Sequence, residues 1–111
     1  MFITKRYFLK LTGTNFDEFV KNVLPREKSK TVNNLVSIFL KNPKAFSKLD
    51  RSSYADTEKK SKLEMHGLHL SIESMKKFDK IVGYGFRSKN IDLLIFYFNK
   101  NFKSAGGIKL K

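Results

Sequence analysis

The chain has no cysteine, which excludes disulfides and thiolate chemistry and leaves the redox compartment unread. It also lacks any apolar run near the roughly 20 residues of a membrane span. Its opening MFITKRYFLK is too broken by charge for a signal peptide, so the expected address is the cytoplasm. Acids are scarce: 10 Asp and Glu stand against 23 Lys and Arg, a net charge of +13. No Ser/His/Asp constellation or pair of carboxylates with a shared pocket can be placed, and no enzyme is expected. His66 and His69 would point to opposite faces of a strand, so no metal site is expected either. Gly83-Tyr84-Gly85 has no Gly-Lys-Ser behind it and reads as a helix stop rather than a phosphate loop.

What is present is charge and repetition. The excess is spread along the chain, with +5 on residues 1–42, +3 on 43–63 and +5 on 64–111, so it is not a detachable tail. A field of this sign favours a polyanion, nucleic acid first and an anionic surface second. Shifted by 59 residues the sequence matches itself without gaps. Leu9/Leu68, Leu11/Leu70, Phe19/Phe78, Lys21/Lys80, Val23/Val82, Ser29/Ser88, Lys30/Lys89, Leu35/Leu94, Phe39/Phe98, Lys41/Lys100 and Asn42/Asn101 are identical. One supersecondary unit is therefore written twice. Each half is too short to bury a convincing core, so the halves must pack on each other or on another chain.

Both units read alike. Tyr7, Leu9 and Leu11 alternate with Arg6, Phe8, Lys10 and Thr12, and Leu68, Leu70 and Ile72 alternate with Gly67, His69 and Ser71, which predicts a short strand in each unit. A short helix follows each strand. The first is expected to be capped by Thr14 or Asn15 and stopped by Pro25; the second is expected to start near Ser74 and stop at Gly83. A longer helix then carries Val32, Leu35, Val36 and Phe39, or Ile91, Leu94, Ile95 and Phe98, with Ser29 and Ser88 as expected N-caps. Asn42-Pro43 and Asn99 to Asn101 are expected to close these helices. The division is a first unit over 1–42, a polar linker over 43–63, a second unit over 64–103 and a basic flexible tail over 104–111. The two units would form one folded domain.

Strand, short helix, basic turn with Ser and a longer amphipathic helix is the layout of the ribbon–helix–helix family, the Arc/MetJ superfamily. The segment Leu68-His69-Leu70-Ser71-Ile72, Phe78-Asp79-Lys80-Ile81, Arg87-Ser88-Lys89-Asn90-Ile91 and Leu94-Ile95 resembles it closely. In the first unit Gly13-Thr14 stands where the strand's hydrophobic end is expected. Two units in one chain, with Asn42-Pro43-Lys44 after the first, resemble the tandem conjugation accessory proteins of the TraY type. The resemblance covers about residues 6–42 and 65–101. It implies a mainly α fold with a two-stranded antiparallel ribbon, Phe8–Thr12 lying against Gly67–Ser71, as a pseudo-dimer within one chain.

It further implies a protein that binds double-stranded DNA sequence-specifically and reads the major groove with the ribbon. The biological role would be a relaxosome accessory at a plasmid transfer origin, a repressor of its own operon, or both. The outward strand residues Phe8, Lys10, Thr12, Gly67, His69 and Ser71 are the candidate base contacts, Gly67 contributing little. Arg6 and the starts of the longer helices, Lys28, Ser29, Lys30, Arg87, Ser88 and Lys89, are the candidate phosphate contacts. The last helix also carries Leu93, Phe96, Tyr97 and Phe102 outside its core stripe. That second apolar face would pack on the linker at Ala45, Phe46 or Tyr54, or bind another protein: a relaxase or adjacent copies of this chain. No cofactor, small-molecule substrate or membrane is expected. The competing readings are a basic RNA- or anionic-surface-binding protein without sequence preference, and a pure interaction adaptor.

Overall fold

A computed structural model describes residues 3–24, 26–47 and 52–105. The protein is mainly helical around one two-stranded antiparallel sheet. The order is β1 (Thr4–Thr12), α1 (Gly13–Asn22), α2 (Lys28–Lys41), α3 (Pro43–Ser47), α4 (Ser52–Lys60), β2 (Leu63–Ser71), α5 (Ile72–Val82), a 3₁₀ turn (Tyr84–Phe86) and α6 (Arg87–Ala105).

Alternation builds the ribbon as expected at its centre: Tyr7, Leu9, Leu11, Leu68 and Leu70 face a common core, and Phe8, Lys10 and His69 face out. The register differs from the expected one. Both strands begin earlier, and Phe8 pairs with Gly67 while Thr12 pairs with Leu63, four residues from the expected pairing with Gly67. Phe8 and Gly67 are also equivalents under the 59-residue shift. The pairing scheme therefore maps onto itself when the two units are exchanged, with Phe8 and Gly67 at the centre.

The units interlock. Helix α2 of the first packs on β2 and α5 of the second, and α6 of the second packs on β1 and α1 of the first. Phe39 meets Phe78 with ring centroids 5.1 Å apart, and the equivalent Phe98 meets Phe19 at 5.7 Å. Phe19 and Phe78 are fully buried, and truncating such a ring typically costs about 3–5 kcal/mol.

The ends of the helices correct several expectations. Helix α1 begins directly at Gly13 behind Thr12, whose hydroxyl makes no cap bond because it donates to Asp92. Helix α5 is capped by Ser71, which accepts from the Ser74 amide, so Ser74 lies inside the first turn. Ile72 opens this helix rather than ending the strand. Gly83 stops it with a φ of 93°, a conformation glycine adopts without Cβ strain. Ser29 and Ser88 sit inside the first turns of α2 and α6, not at their N-caps. Asn42 closes α2 as expected, its amide donating to Phe39 O, but α6 continues through Asn99 to Ala105. Pro25 and residues 106–111 lie outside the described residues.

The expected polar linker contains two helices. Phe46 from α3 and Tyr54 from α4 join the core, Phe46 packing on Phe39 and Tyr54 on Phe96 with centroids 5.3 and 5.5 Å apart. No helix among the described residues is long and apolar enough to cross a membrane.

Candidate nucleic-acid interface

A two-stranded ribbon has two outer edges whose amides need partners. Here each unit closes the other's edge. The Lys10 amide donates to Ser88 Oγ at 3.1 Å, and the equivalent His69 amide donates to Ser29 Oγ at 2.9 Å. One turn further along, Thr12 N donates to Asp92 Oδ1 at 3.1 Å and the equivalent Ser71 N to Asn33 Oδ1 at 2.9 Å. The serine identity across the repeat thus has a structural cause: both hydroxyls hold the ribbon's edge.

Each strand is thus tied to a helix along the last part of its edge, and the outer face of the ribbon is left uncovered. Arg6, Phe8 and Lys10 from β1 and Met65 and His69 from β2 are exposed there, in cross-strand pairs Arg6/His69, Phe8/Gly67 and Lys10/Met65. Phe8 is 63% exposed and carries the Arg6 guanidinium 5.2 Å from its ring centroid. A Cβ at Gly67 would collide with that guanidinium, so the glycine lets Arg6 lie across the ribbon's centre. The face is therefore cationic, with one aromatic ring in the middle.

Thr12 and Ser71 do not belong to it. They are 0% and 7% exposed, because each sits where its strand turns into a helix and spends its hydroxyl inside the fold. Strand alternation fails at these positions because the strand ends there. Met65 was missed, although it follows from the same alternation: it is the repeat equivalent of Arg6 and is 56% exposed.

The proposed phosphate contacts divide. Lys30 and Lys89 are exposed and only loosely paired, with Glu27 at 3.9 Å and Glu58 at 4.0 Å. Exposed pairs of this kind are worth about 1 kcal/mol or less and yield readily to a stronger anion. Lys28 is half-buried at the start of α2. Arg87 is committed elsewhere: Nε and Nη2 clasp the buried carboxylate of Asp79, and the guanidinium lies 5.0 Å from the Tyr7 ring centroid. Its bidentate pairing with an acid at 4% exposure makes it a structural cation. In the first unit Val20 stands where Asp79 would be.

Beneath one end of the ribbon lies a polar network that the sequence reading did not find. Asp92, 1% exposed, accepts from Thr12 N, Thr12 Oγ1, Asn15 Nδ2 and the Tyr54 hydroxyl, the last at 2.7 Å. Burial first, and the Asp92 carboxylate second, push the Tyr54 hydroxyl well above the ordinary tyrosine range. Asn99 extends the network by donating to Asn15 O and Oδ1. The signal was available: Asn33 and Asp92 are near-isosteric repeat equivalents, each three residues behind a repeated lysine.

The second apolar face of α6 is covered. Leu93, Phe96 and Tyr97 are 5–8% exposed, with Tyr54 of the linker standing edge-on to Phe96. They are core residues and not an open protein-binding patch; the side chain of Phe102 lies outside the described residues. His66, on the inner face, stacks on Phe16 at 3.8 Å with Nε2 3.4 Å from Glu64, while His69 faces out, so the two imidazoles are separated by the sheet.

Comparison of the chain with protein-family models, curated proteins and solved structures finds no match in any of the three.

Proposed function

We propose that the chain is a tandem ribbon–helix–helix protein, a pseudo-dimer in one polypeptide, that binds double-stranded DNA by laying its ribbon in the major groove. The observation that carries this reading is the ribbon's outer face, where Arg6, Lys10 and His69 surround Phe8 on strands whose last residues are tied to helices. A two-stranded ribbon fits the major groove, and these side chains have the chemistry to meet it. Arg6 and Lys10 donate to guanine O6 and N7, His69 donates or accepts, and Phe8 or Met65 lies against a thymine methyl group. Support also comes from the pairing scheme, which exchanges the two units about Phe8 and Gly67 as two chains exchange in a dimer. Lys30, Lys89 and Lys28 supply phosphate contacts that fix register. The resemblance to TraY-type proteins extends the reading to a relaxosome accessory at a transfer origin or an autorepressor in the cytoplasm.

The test is selection from a randomised duplex pool followed by competition. Replacing Lys10→Ala with His69→Ala should remove preference for the selected duplex, each lost base contact being worth about 1–3 kcal/mol of discrimination. Low-salt binding to random DNA should survive. Failure to enrich any duplex, with equal binding to single-stranded RNA, would instead favour a nonspecific polyanion binder.

A further inference from the structure

Helix α4 sits on only one of two equivalent surfaces. Tyr54 contacts Asp92 and Phe96 midway along α6, while Glu58, one turn later in α4, faces Lys89 in the first turn of α6. The helix therefore descends α6 toward its start, where Ser88 holds the Lys10 amide. Its continuation is pinned at the end of the ribbon: Ser61 Oγ accepts from the Thr14 amide at 3.0 Å and the Thr14 hydroxyl at 2.9 Å, and Lys62 O accepts from the Gly13 amide at 2.9 Å. Lys59, Lys60 and Lys62 are all exposed on this descending segment, and Lys62 directly precedes Leu63, the partner of Thr12. None of the ion pairs among the described residues involves them.

The matching surface of the other unit is open. Lys30, Asn33, Asn34, Ser37, Ser71 and Ser74 line a cavity of about 450 Å³. Their repeat equivalents are Lys89, Asp92, Leu93, Phe96, Thr12 and Asn15, the surface on which α4 rests. Polar Ser37 stands where Phe96 receives Tyr54 of α4.

We infer that α4 and the turn behind it form a one-sided DNA clamp, in which Lys59, Lys60 and Lys62 grip the phosphate backbone flanking the Lys10 end of the ribbon. This rests on the DNA-binding reading and adds a direction to it. The Lys10 end covers a longer stretch of backbone than the Arg6 end, so the footprint is lopsided even on a symmetric duplex. Three hydrogen bonds at Ser61 and Lys62 place the backbone of this segment before any contact, which leaves the lysine side chains to be ordered.

The experiment uses the full chain and a duplex selected from a randomised pool. Hydroxyl-radical footprints and the salt dependence of binding are compared for wild type, Lys59→Ala/Lys60→Ala/Lys62→Ala, and Lys76→Ala/Lys77→Ala/Lys80→Ala on α5, which removes equal charge elsewhere. The linker triple should lose protection on one flank only. Each phosphate contact removed should reduce the affinity lost between 50 and 200 mM salt by about 3.5-fold. The α5 triple should leave the footprint intact. A linker triple with unchanged footprint and slope, or an α5 triple with the same effect, overturns the clamp while leaving ribbon readout standing. Absence of any wild-type footprint overturns both.

Discussion

At one end of the ribbon Asp92 is buried under a linker helix; at the other its counterpart Asn33 borders an open cavity. Both residues do the same first task, accepting the amide of the last residue of the opposing strand. The shared task is what a duplicated unit needs to close on itself. The differences come from the linker, which exists once and can serve only one side. Asp92 has gathered a hydroxyl from Thr12, an amide from Asn15 and the Tyr54 hydroxyl, whereas Asn33 returns one bond to His69 O at 3.0 Å. A buried carboxylate is tolerable only with such a set of donors. The linker therefore completes the fold of one flank and leaves the other as a simpler, wetter copy.

That contrast can be broken most severely at Asp92. Asp92→Ala should cost about 3–5 kcal/mol in urea unfolding, because it strands several buried donors at once. Asn33→Ala at the equivalent place should cost about 1–2 kcal/mol, its partners being nearer water. Equal losses would show that the network adds nothing beyond the shared edge bond. Ser29→Ala and Ser88→Ala should each cost about 1 kcal/mol and match one another, since they make equivalent bonds.

The Tyr54 hydroxyl gives a smaller, pH-dependent signature. Its pKa is raised in the folded state above the ordinary value of 10.0, so the unfolded chain releases this proton first. Its contribution is fully present below about pH 10 and declines as pH rises above that. Stability of the wild type should therefore fall more steeply than that of Tyr54→Phe in alkaline solution, measured by unfolding at matched pH steps. Parallel curves would contradict a buried, acid-paired hydroxyl.

Much of the fold was legible because its signals are periodic. Leu9, Leu11, Leu68 and Leu70 announce strands, and the i, i+3, i+4, i+7 stripes announce α2 and α6. The linker's helices were illegible because they bury few side chains: of Ser52–Lys60 only Tyr54 is buried, and a lone aromatic in a polar run carries no period, although Tyr54 was one of the residues expected to cover the second face of α6. The ribbon's register was missed because the outer strand residues, Thr4, Lys5, Leu63 and Glu64, are exposed and so show no alternation. At the candidate site, Phe8, Lys10 and His69 were read from alternation; Arg6 was expected at a phosphate, and the register sets it beside Phe8 and opposite His69. Thr12 and Ser71 as outward residues, and Ser29 and Ser88 as N-caps, were misassigned for a common reason: a small hydroxyl residue looks the same in sequence whether it faces water, caps a helix or holds a backbone amide of the opposite unit.

The central claim is that the ribbon's outer face reads a DNA major groove. It is tested most directly by replacing the purines of a selected duplex with 7-deaza analogues, which removes N7 acceptors from the major groove and leaves the minor groove unchanged. The claim predicts that affinity falls at a short block of guanines, and that Lys10→Ala and Arg6→Ala each abolish the sensitivity at their own positions. Affinity indifferent to every 7-deaza position, or sensitive only to changes in the minor groove, would contradict it.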